Sequence, residues 1–313
     1  MNAPLIPQAN PGAAFRSRRD ALLKAADDVL DGGWYINGKQ VRQFEESFAA
    51  FCSVKHAVGV GNGTDAIEVA LRALGIGKGG LVFTVSHTAV ATVAAIECAG
   101  ATPVLVDVDP VTYTMSPESL AKALEAARAG RYPGKPAAVL PVHLYGCCAD
   151  LDAIRAVAGD LPLIEDCAQA IGGKYNGRSV GTIGNVGCFS FCQSKHFTTA
   201  GEGGMVLTMD EDLGWECRSF RDHGYDVKAR MNMLALEEAL PYIHTRVGFN
   251  YRMTEVQSIC GINELARFDS WNMPRRKAYA KMYDEALGGL KGVKALPVNT
   301  AERENAYWWY PVT

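Results

Sequence analysis

Lys195 lies in the stretch S-F-C-Q-S-K-H-F-T-T-A-G-E-G-G-M, after an apolar segment at 186–191 and before a glycine-rich turn into another apolar run at 205–207. An amine placed there is held at the edge of a sheet and partly withdrawn from water. Desolvation disfavours the ammonium form and lowers its pKa, which suits a nucleophilic amine that forms Schiff bases. A solvated loop lysine would look the same in this window alone, so the reading depends on three other loops. The first, G-N-G-T-D at 61–65, opens a helix. Its Gly63, Thr64 and Asp65 amides would sit at the positive end of the helix dipole, ready for a phosphate. Asp65 and Glu68 resemble a capping box. The loop is neither a Walker loop nor G-x-G-x-x-G, and many such turns are glycine-rich only for tightness. The second loop is Ser86-His87-Thr88. His87 could stack over a planar ring, while a Ser or Thr here could simply cap the next helix. The third, Glu165-Asp166-Cys167-Ala168-Gln169, ends an apolar strand. A carboxylate at the end of a buried strand loses its hydration, so something cationic should meet Asp166.

Alternating elements would position these loops. Strand-like runs at 57–60, 81–85, 103–108, 137–142 and 161–165 alternate with helical patterns at 65–74, 89–98, 116–129 and 149–157. Ser116-Pro117 supplies a cap and a first-turn proline. Strands separated by helices of this length imply right-handed crossovers and a mostly parallel sheet covered on both faces, an α/β fold. Ligands of such sheets sit at the carboxyl ends of the strands, where the four loops fall. Beyond about 210 the strand signal fades, and helices expected at 254–267 and 272–287 suggest a second, smaller domain. The expected organisation is a loose arm at 1–14, a large domain at 15–250 and the start of a small domain at 251–313.

Composition narrows the function classes. The chain has 313 residues, 48% hydrophobic and 21% charged, enough for a sizeable core. A net charge of −3 gives no global attraction to nucleic acid or to anionic lipid. Nine cysteines without a C-x-x-C pair point to free thiols in a reducing cytoplasm and away from a disulfide framework or a zinc site. The proline-containing N-terminus has no signal-peptide core, and no apolar run reaches the roughly 18 residues of a membrane span.

A phosphate cradle, a buried aspartate, a ring-facing residue and a withdrawn lysine match the needs of pyridoxal 5'-phosphate. That cofactor needs an amine for its aldehyde, an anion for its ring nitrogen and donors for its phosphate. With N-G-T-D-A, S-H-T-A-V-A-T, P-V-H-L-Y-G, E-D-C-A-Q-A, S-F-x-x-x-K and N-Y-R-M-T-E in order, the chain resembles the DegT/StrS sugar aminotransferases from about Trp34 to its end. The resemblance implies an aspartate aminotransferase-like fold: a large domain with a sheet of seven-stranded type flanked by helices, and a smaller α/β C-terminal domain. By the same resemblance, Lys195 matches the Schiff-base lysine and proton carrier. Asp166 matches the partner of the pyridine nitrogen, and Gln169 the contact to the phenolic oxygen. Gly63, Thr64 and Ser190 match phosphate contacts, with an added amide from Asp65. Asn250 matches the residue that reaches the phosphate from a neighbouring subunit, which implies a homodimer with shared active sites.

The implied reaction is ping-pong transfer from glutamate or glutamine to a nucleotide-linked keto-sugar, for amino-sugar biosynthesis. A cyclitol or aminoshikimate-type ketone is an alternative acceptor. A pyridoxamine phosphate-dependent sugar dehydratase would replace the lysine with histidine, and His196 stands next door. A non-enzymatic regulator would not need Lys195, Asp166, Gln169 and Ser190 together. Three features depart from the family pattern. Ala89 stands where an aromatic residue often stacks on the ring, which leaves His87 for that role. The K-H-F-T-T-A-G-E-G-G loop is one residue longer than a common form. The chain is also expected to be a partial form, because relatives continue beyond its last residue. Lys55, Arg178, Arg221, Arg246 and Arg252 could meet a substrate anion but are better read as surface ion pairs. His223 reads as structural, and His143 is left unassigned.

Overall fold

The computed structural model describes residues 10–228, 243–295 and 299–313. Seven main strands carry the core. They are β1 (His56–Val60), β2 (Gly80–Val85), β3 (Thr102–Val106), β4 (Lys135–Leu140), β5 (Ile164–Asp166), β6 (Val186–Ser190) and β7 (Gly204–Thr208). Hydrogen bonding orders three of them β3-β2-β4 and the other four β5-β6-β7-β1. Parallel bridges Val139↔Leu163 and Val142↔Asp166 join the two sets. The resulting order is β3-β2-β4-β5-β6-β7-β1. The ladders β2/β3, β2/β4 and β5/β6 are parallel, and only β7 runs against its neighbours. The mostly parallel sheet expected from the alternating pattern is therefore present.

Helices α1 (Pro11–Arg16), α2 (Arg19–Asp31) and α3 (Lys39–Cys52) precede the sheet. Within it run α4 (Gly63–Ala73), α5 (Val90–Cys98), α6 (Pro117–Arg128) and α7 (Leu151–Ala158). After it come α8 (Glu211–Arg221), α9 (Glu255–Leu265) and α10 (Met273–Leu287). Ser116 caps α6 as expected, accepting from the Ser119 amide at 3.2 Å. Two expectations change. The arm proposed for 1–14 is helical from Pro11, where Asn10 caps α1, while 1–9 lie outside the described residues. Asp65 and Glu68 form no capping box. Helix α4 begins two residues earlier, with Asn62 as its cap, and the Asn62 Oδ1 accepts from the Asp65 amide at 2.9 Å. A true capping box sits at α9, between Thr254 and Gln257.

The strands are buried along nearly their whole length, and a cluster of phenylalanines fills the space between α3 and the sheet. Phe191 and Phe197 bracket the Lys195 loop. Both are fully buried, with ring centroids 5.0 Å apart, and both pack on Phe44 and Phe48. The loop between them is thus anchored at both ends by apolar burial, worth about 1.5–3 kcal/mol for each ring. No helix among the described residues is long and apolar enough to cross a membrane.

A charged knot ties α3, β1 and α8 together. The Glu45 carboxylate on α3 accepts from Arg221, from Arg218 at 2.6 Å and from the Gly59 amide at 2.8 Å. Arg221 also donates to the Gly59 carbonyl, and Arg218 to that of Ala57. Arg221 is buried, so its expected role as a surface ion pair is corrected to a core one. Burial alone would raise the Glu45 pKa, but Arg221 and Arg218 outweigh it and hold the carboxyl below its ordinary value. The carboxylate therefore contributes stability above the usual carboxylate range, and that contribution is lost as pH falls through the folded-state pKa. Replacing Glu45 with alanine takes the carboxylate away from the buried Arg221 and the half-buried Arg218. Glu45→Ala is expected to cost about 3–5 kcal/mol, read by denaturant melts. Glu45→Gln should flatten the loss of stability in acid, and an unchanged acid limb would refute this account.

Candidate active site

The carboxyl ends of β2, β4, β5 and β6 converge as expected, and Asp166 lies at their centre. Its backbone locks the two halves of the sheet, with the Asp166 amide donating to the Pro141 carbonyl and the His143 amide to the Asp166 carbonyl. Its side chain is 4% exposed. Oδ2 accepts from the Thr92 hydroxyl at 2.8 Å and Oδ1 from the Ala168 amide at 3.1 Å. The Thr92 hydroxyl in turn lies 2.9 Å from that of Thr88. With the Thr92 proton on Asp166, the Thr88 hydroxyl must be the donor of that pair. The expected cation is not within ion-pair distance among the described residues. Burial consequently raises the Asp166 pKa, against the pull of its two donors and of the more distant Lys195 charge. A buried carboxylate held ready by neutral donors suits a cationic ligand atom.

Lys195 follows β6 in the loop pinned by the two phenylalanines. Its Nζ rests 4.1 Å from the centre of the Trp308 indole. Burial lowers its pKa, opposed first by the negative field of Asp166. The amine is thus easier to deprotonate than a surface lysine, as the opening motif suggested. His196 faces the other way. Its Nε2 donates to the Ile171 carbonyl at 2.8 Å, its carbonyl accepts from Asn272, and burial pushes its pKa down to about 3. The lysine therefore faces Asp166's field, and the histidine belongs to the core.

The turn at 61–65 opens α4, as expected. Ser190 ends β6 against Gly63, where an added Cβ would lie only 2.7 Å from that of Ser190. Glycine at this point lets the start of α4 approach the Ser190 hydroxyl. Asp65 is a correction: its amide is already taken by Asn62, which leaves Gly63 and Thr64 as the donors at the helix end. Burial raises the Asp65 carboxyl to about 6. Gln169 is buried, and its Oε1 accepts from the Tyr145 amide at 2.6 Å. His87 is exposed, with Nε2 3.0 Å from the Tyr145 hydroxyl. The expected cap at 86–88 is absent, since Ala89 is the first residue before α5 and makes no side-chain cap. Asn250 is exposed, its Oδ1 accepting from the Arg252 Nε at 2.9 Å and its backbone bridged to Asp222.

His143 now has an assignment. Its Nδ1 accepts from the Ala149 amide at 3.0 Å, so Nε2 carries the proton to Glu165 at 3.0 Å. Glu165 also accepts from the Gly181, Ile183 and Gly184 amides. His143, Glu165 and Cys167 have metal-ligand types clustered within 4.8 Å. With both imidazole nitrogens and the carboxylate already engaged, this cluster is structural. The anion-binding candidates are engaged too: Arg246 pairs with Glu216, Arg252 with Asp222, and Arg178 with the Thr182 carbonyl. Lys55 is exposed.

Sequence reasoning missed Thr92, Tyr145 and Trp308. Thr92 lies inside S-H-T-A-V-A-T, one helical turn after Thr88, and that spacing was its only signal. Tyr145 lies inside P-V-H-L-Y-G but drew no role, and Trp308 carried no signal, because the contact between them spans more than 160 residues of chain. The coupling of Lys195 to Asp166 has a measurable consequence. Competitive acetylation of the ligand-free protein should titrate Lys195 below the ordinary lysine range. Asp166→Asn should move that midpoint lower still, because the removed charge favours the ammonium. A midpoint that stays put or rises would rule the coupling out.

The chain matches the DegT/DnrJ/EryC1/StrS aminotransferase family over residues 17–313. It is 38% identical over 311 residues to dTDP-3-amino-3,4,6-trideoxy-alpha-D-glucose transaminase of Streptomyces venezuelae, covering 99% of this chain and 76% of that relative. It is 37% identical over 295 residues to the pleiotropic regulatory protein of Geobacillus stearothermophilus, covering 93% of this chain and 73% of that relative. The crystal structure of S. venezuelae DesV superposes with a TM-score of 0.88 at 37% identity, over 99% of this chain and 78% of DesV. This chain belongs to the DegT/DnrJ/EryC1/StrS aminotransferase family.

Proposed function

We propose that this aminotransferase uses pyridoxal 5'-phosphate to move an amino group from glutamate or glutamine to the ketone of a nucleotide-linked sugar. The observation that carries the reading is the buried Asp166, held by neutral donors, with its nearest strong field on Lys195. The residues present fit the cofactor. Asp166 offers the anion for a protonated ring nitrogen. Lys195 offers the amine for its aldehyde. The Gly63 and Thr64 amides and the Ser190 hydroxyl offer donors for its phosphate, and Gln169 and His87 border the space between. Bound there, pyridoxal phosphate supplies an electron-withdrawing ring that makes a substrate carbon–hydrogen bond acidic.

The protein's residues do the rest. Asp166 would keep a bound ring nitrogen protonated, since among the described residues its carboxylate makes no ion pair. Lys195 Nζ, with a pKa already lowered by burial, is poised to take a proton as a free amine and return it to a neighbouring atom. Asn250, exposed in one copy, is the residue that the family resemblance would have reach the phosphate of a second copy, and its exposure supports a homodimer with shared sites as the working unit. The relative named for a 3-amino sugar supports amination at ring carbon 3. The nine free cysteines support a cytoplasmic enzyme.

Two alternatives are weakened by specific contacts. A dehydratase would need histidine in place of the lysine, and His196 is bound into the core by Ile171 and Asn272. A regulator without chemistry would not require a buried Asp166 and a desolvated Lys195 together, although one relative carries a regulatory name. Purified protein should be yellow, and glutamate or glutamine should bleach that colour to the cofactor's amino form. Borohydride should fix phosphopyridoxyl on Lys195, and Lys195→Ala should lose both the adduct and the bleaching. A wild-type protein that takes up no pyridoxal phosphate would refute the proposal. A panel of 3-keto and 4-keto nucleotide sugars and cyclitol ketones, added to the bleached enzyme, should restore colour fastest with a 3-keto nucleotide sugar.

A further inference from the structure

Thr92 is the third residue of α5 and is 1% exposed. A threonine inside a helix ordinarily donates its hydroxyl proton to a carbonyl three or four residues earlier. Thr92 spends that single proton elsewhere. Its amide donates to the Ala89 carbonyl at 3.1 Å, while its hydroxyl leaves the helix and donates to Asp166 Oδ2 at 2.8 Å. The same hydroxyl oxygen accepts from Thr88, half-buried on the loop before α5, at 2.9 Å. Two hydroxyls in line thus aim one proton at a buried carboxylate, and each fixes the direction of the other.

The other groups that face Asp166 do not donate to its carboxylate. Lys195, after β6, acts through its field. His143, after β4, commits both ring nitrogens to Ala149 and Glu165. Cys188 lies opposite Asp166 in the β5/β6 ladder, and burial keeps its thiol neutral. On Asp166's own strand, Glu165 turns to the other face and keeps its charge, and the next residue, Cys167, is a buried neutral thiol. Ala168 donates a backbone amide, which no side-chain change removes. With four donors Glu165 stays ionised; with two, Asp166 is already pushed up, so each remaining donor matters.

We propose that Thr92 is a positioning residue for the aminotransfer: oriented by Thr88, its hydroxyl holds the Asp166 carboxylate anionic and aims it at the cationic ring atom of the ligand. This inference rests on Asp166 serving the ring nitrogen, as proposed above. A hydrogen bond to an ionised oxygen is roughly twice as strong as one to a neutral partner, so the Thr92 bond weighs on the anion and little on the acid. Valine at 92 would keep the shape and lose the proton. Serine would keep the proton and lose the methyl.

Infrared titration of the ligand-free protein follows the protonated-carboxyl band that Asp166→Asn removes. Thr92→Val should raise the midpoint of that band by about one pH unit, a tenfold change in proton affinity. Thr92→Ser should titrate close to wild type, and Thr92→Ala makes the same measurement if the valine variant does not fold. In the pyridoxal phosphate-loaded enzyme, bleaching by saturating glutamate should slow about tenfold in Thr92→Val, with half-saturation within about twofold of wild type. Thr92→Ser should restore the rate. A midpoint that stays put in the valine and alanine variants, or moves as far in serine, would overturn the assignment, and so would a bleaching rate that valine leaves untouched. Failure of the wild type to bleach would instead count against the proposed reaction, while the infrared titration would still decide whether Thr92 sets the charge of Asp166.

Discussion

A buried carboxylate without a counter-ion organises this molecule. Asp166 closes the seam between the two halves of the sheet through its backbone, and its side chain sits where four loops meet. Removing a carboxylate from water costs several kcal/mol unless its lone pairs find donors. Thr92 and Ala168 meet part of that need, and the rest appears as a raised pKa. Its neighbour Glu165 shows the contrast. It is just as buried, yet four donors surround it and its pKa is lowered, the hydrogen bonds from His143 and the amides outweighing burial. Two adjacent acids on one strand thus have opposite tasks: Glu165 is fully satisfied and holds the fold, and Asp166 is left in need of a cation.

Much of this could be read from the chain because it depends on local pattern. Strand-length apolar runs separated by helices require a parallel sheet, and the end of each strand then marks a site-facing loop. Asp166, Lys195 and Gly63 were legible because a charge, an amine and a glycine at such ends have few other reasons to be there. The capping of α4 was misread because the sequence offers Asn62 and Asp65 within one turn. Only the backbone reveals which of them has the extended conformation of a cap, and Asn62 does, at φ −164°. Thr92 was hidden by its ordinary type, and the contact of Trp308 with Tyr145 by distance along the chain. Trp308 and Tyr145 become neighbours only after the sheet has assembled and the last described residues have folded back over Gly146.

The paired residues Lys195 and His196 show how packing, more than residue type, selects the reactive group. Either side chain could serve as a base. Phe191 and Phe197 fix the ends of the loop, so adjacent side chains are forced to opposite sides. The inward side places His196 against Phe268 and the Ile171 carbonyl, where burial, helped by the Arg276 charge, suppresses its protonation. The outward side leaves Lys195 under an indole and within the field of Asp166. A change at Phe197 would therefore act on the chemistry without touching it, by freeing the loop to rotate.

The distribution of cations completes the physical picture. Arginines that look available in the sequence are drawn into ion pairs that hold α3, α8 and the loop before α9 in place, and the most buried of them, Arg221, is at the centre of the Glu45 knot. Among the described residues, this leaves Lys195 as the amine in the field of Asp166, its pKa lowered by burial. For the phosphate of the proposed cofactor, the start of α4 would offer amides and a helix dipole in place of side-chain charge. Fixed dipoles do not titrate and need no partner when the ligand leaves. In the proposed reaction Lys195 would then be free to exchange its proton without disturbing a phosphate held at α4, because the two functions would draw on physically separate sources of positive charge.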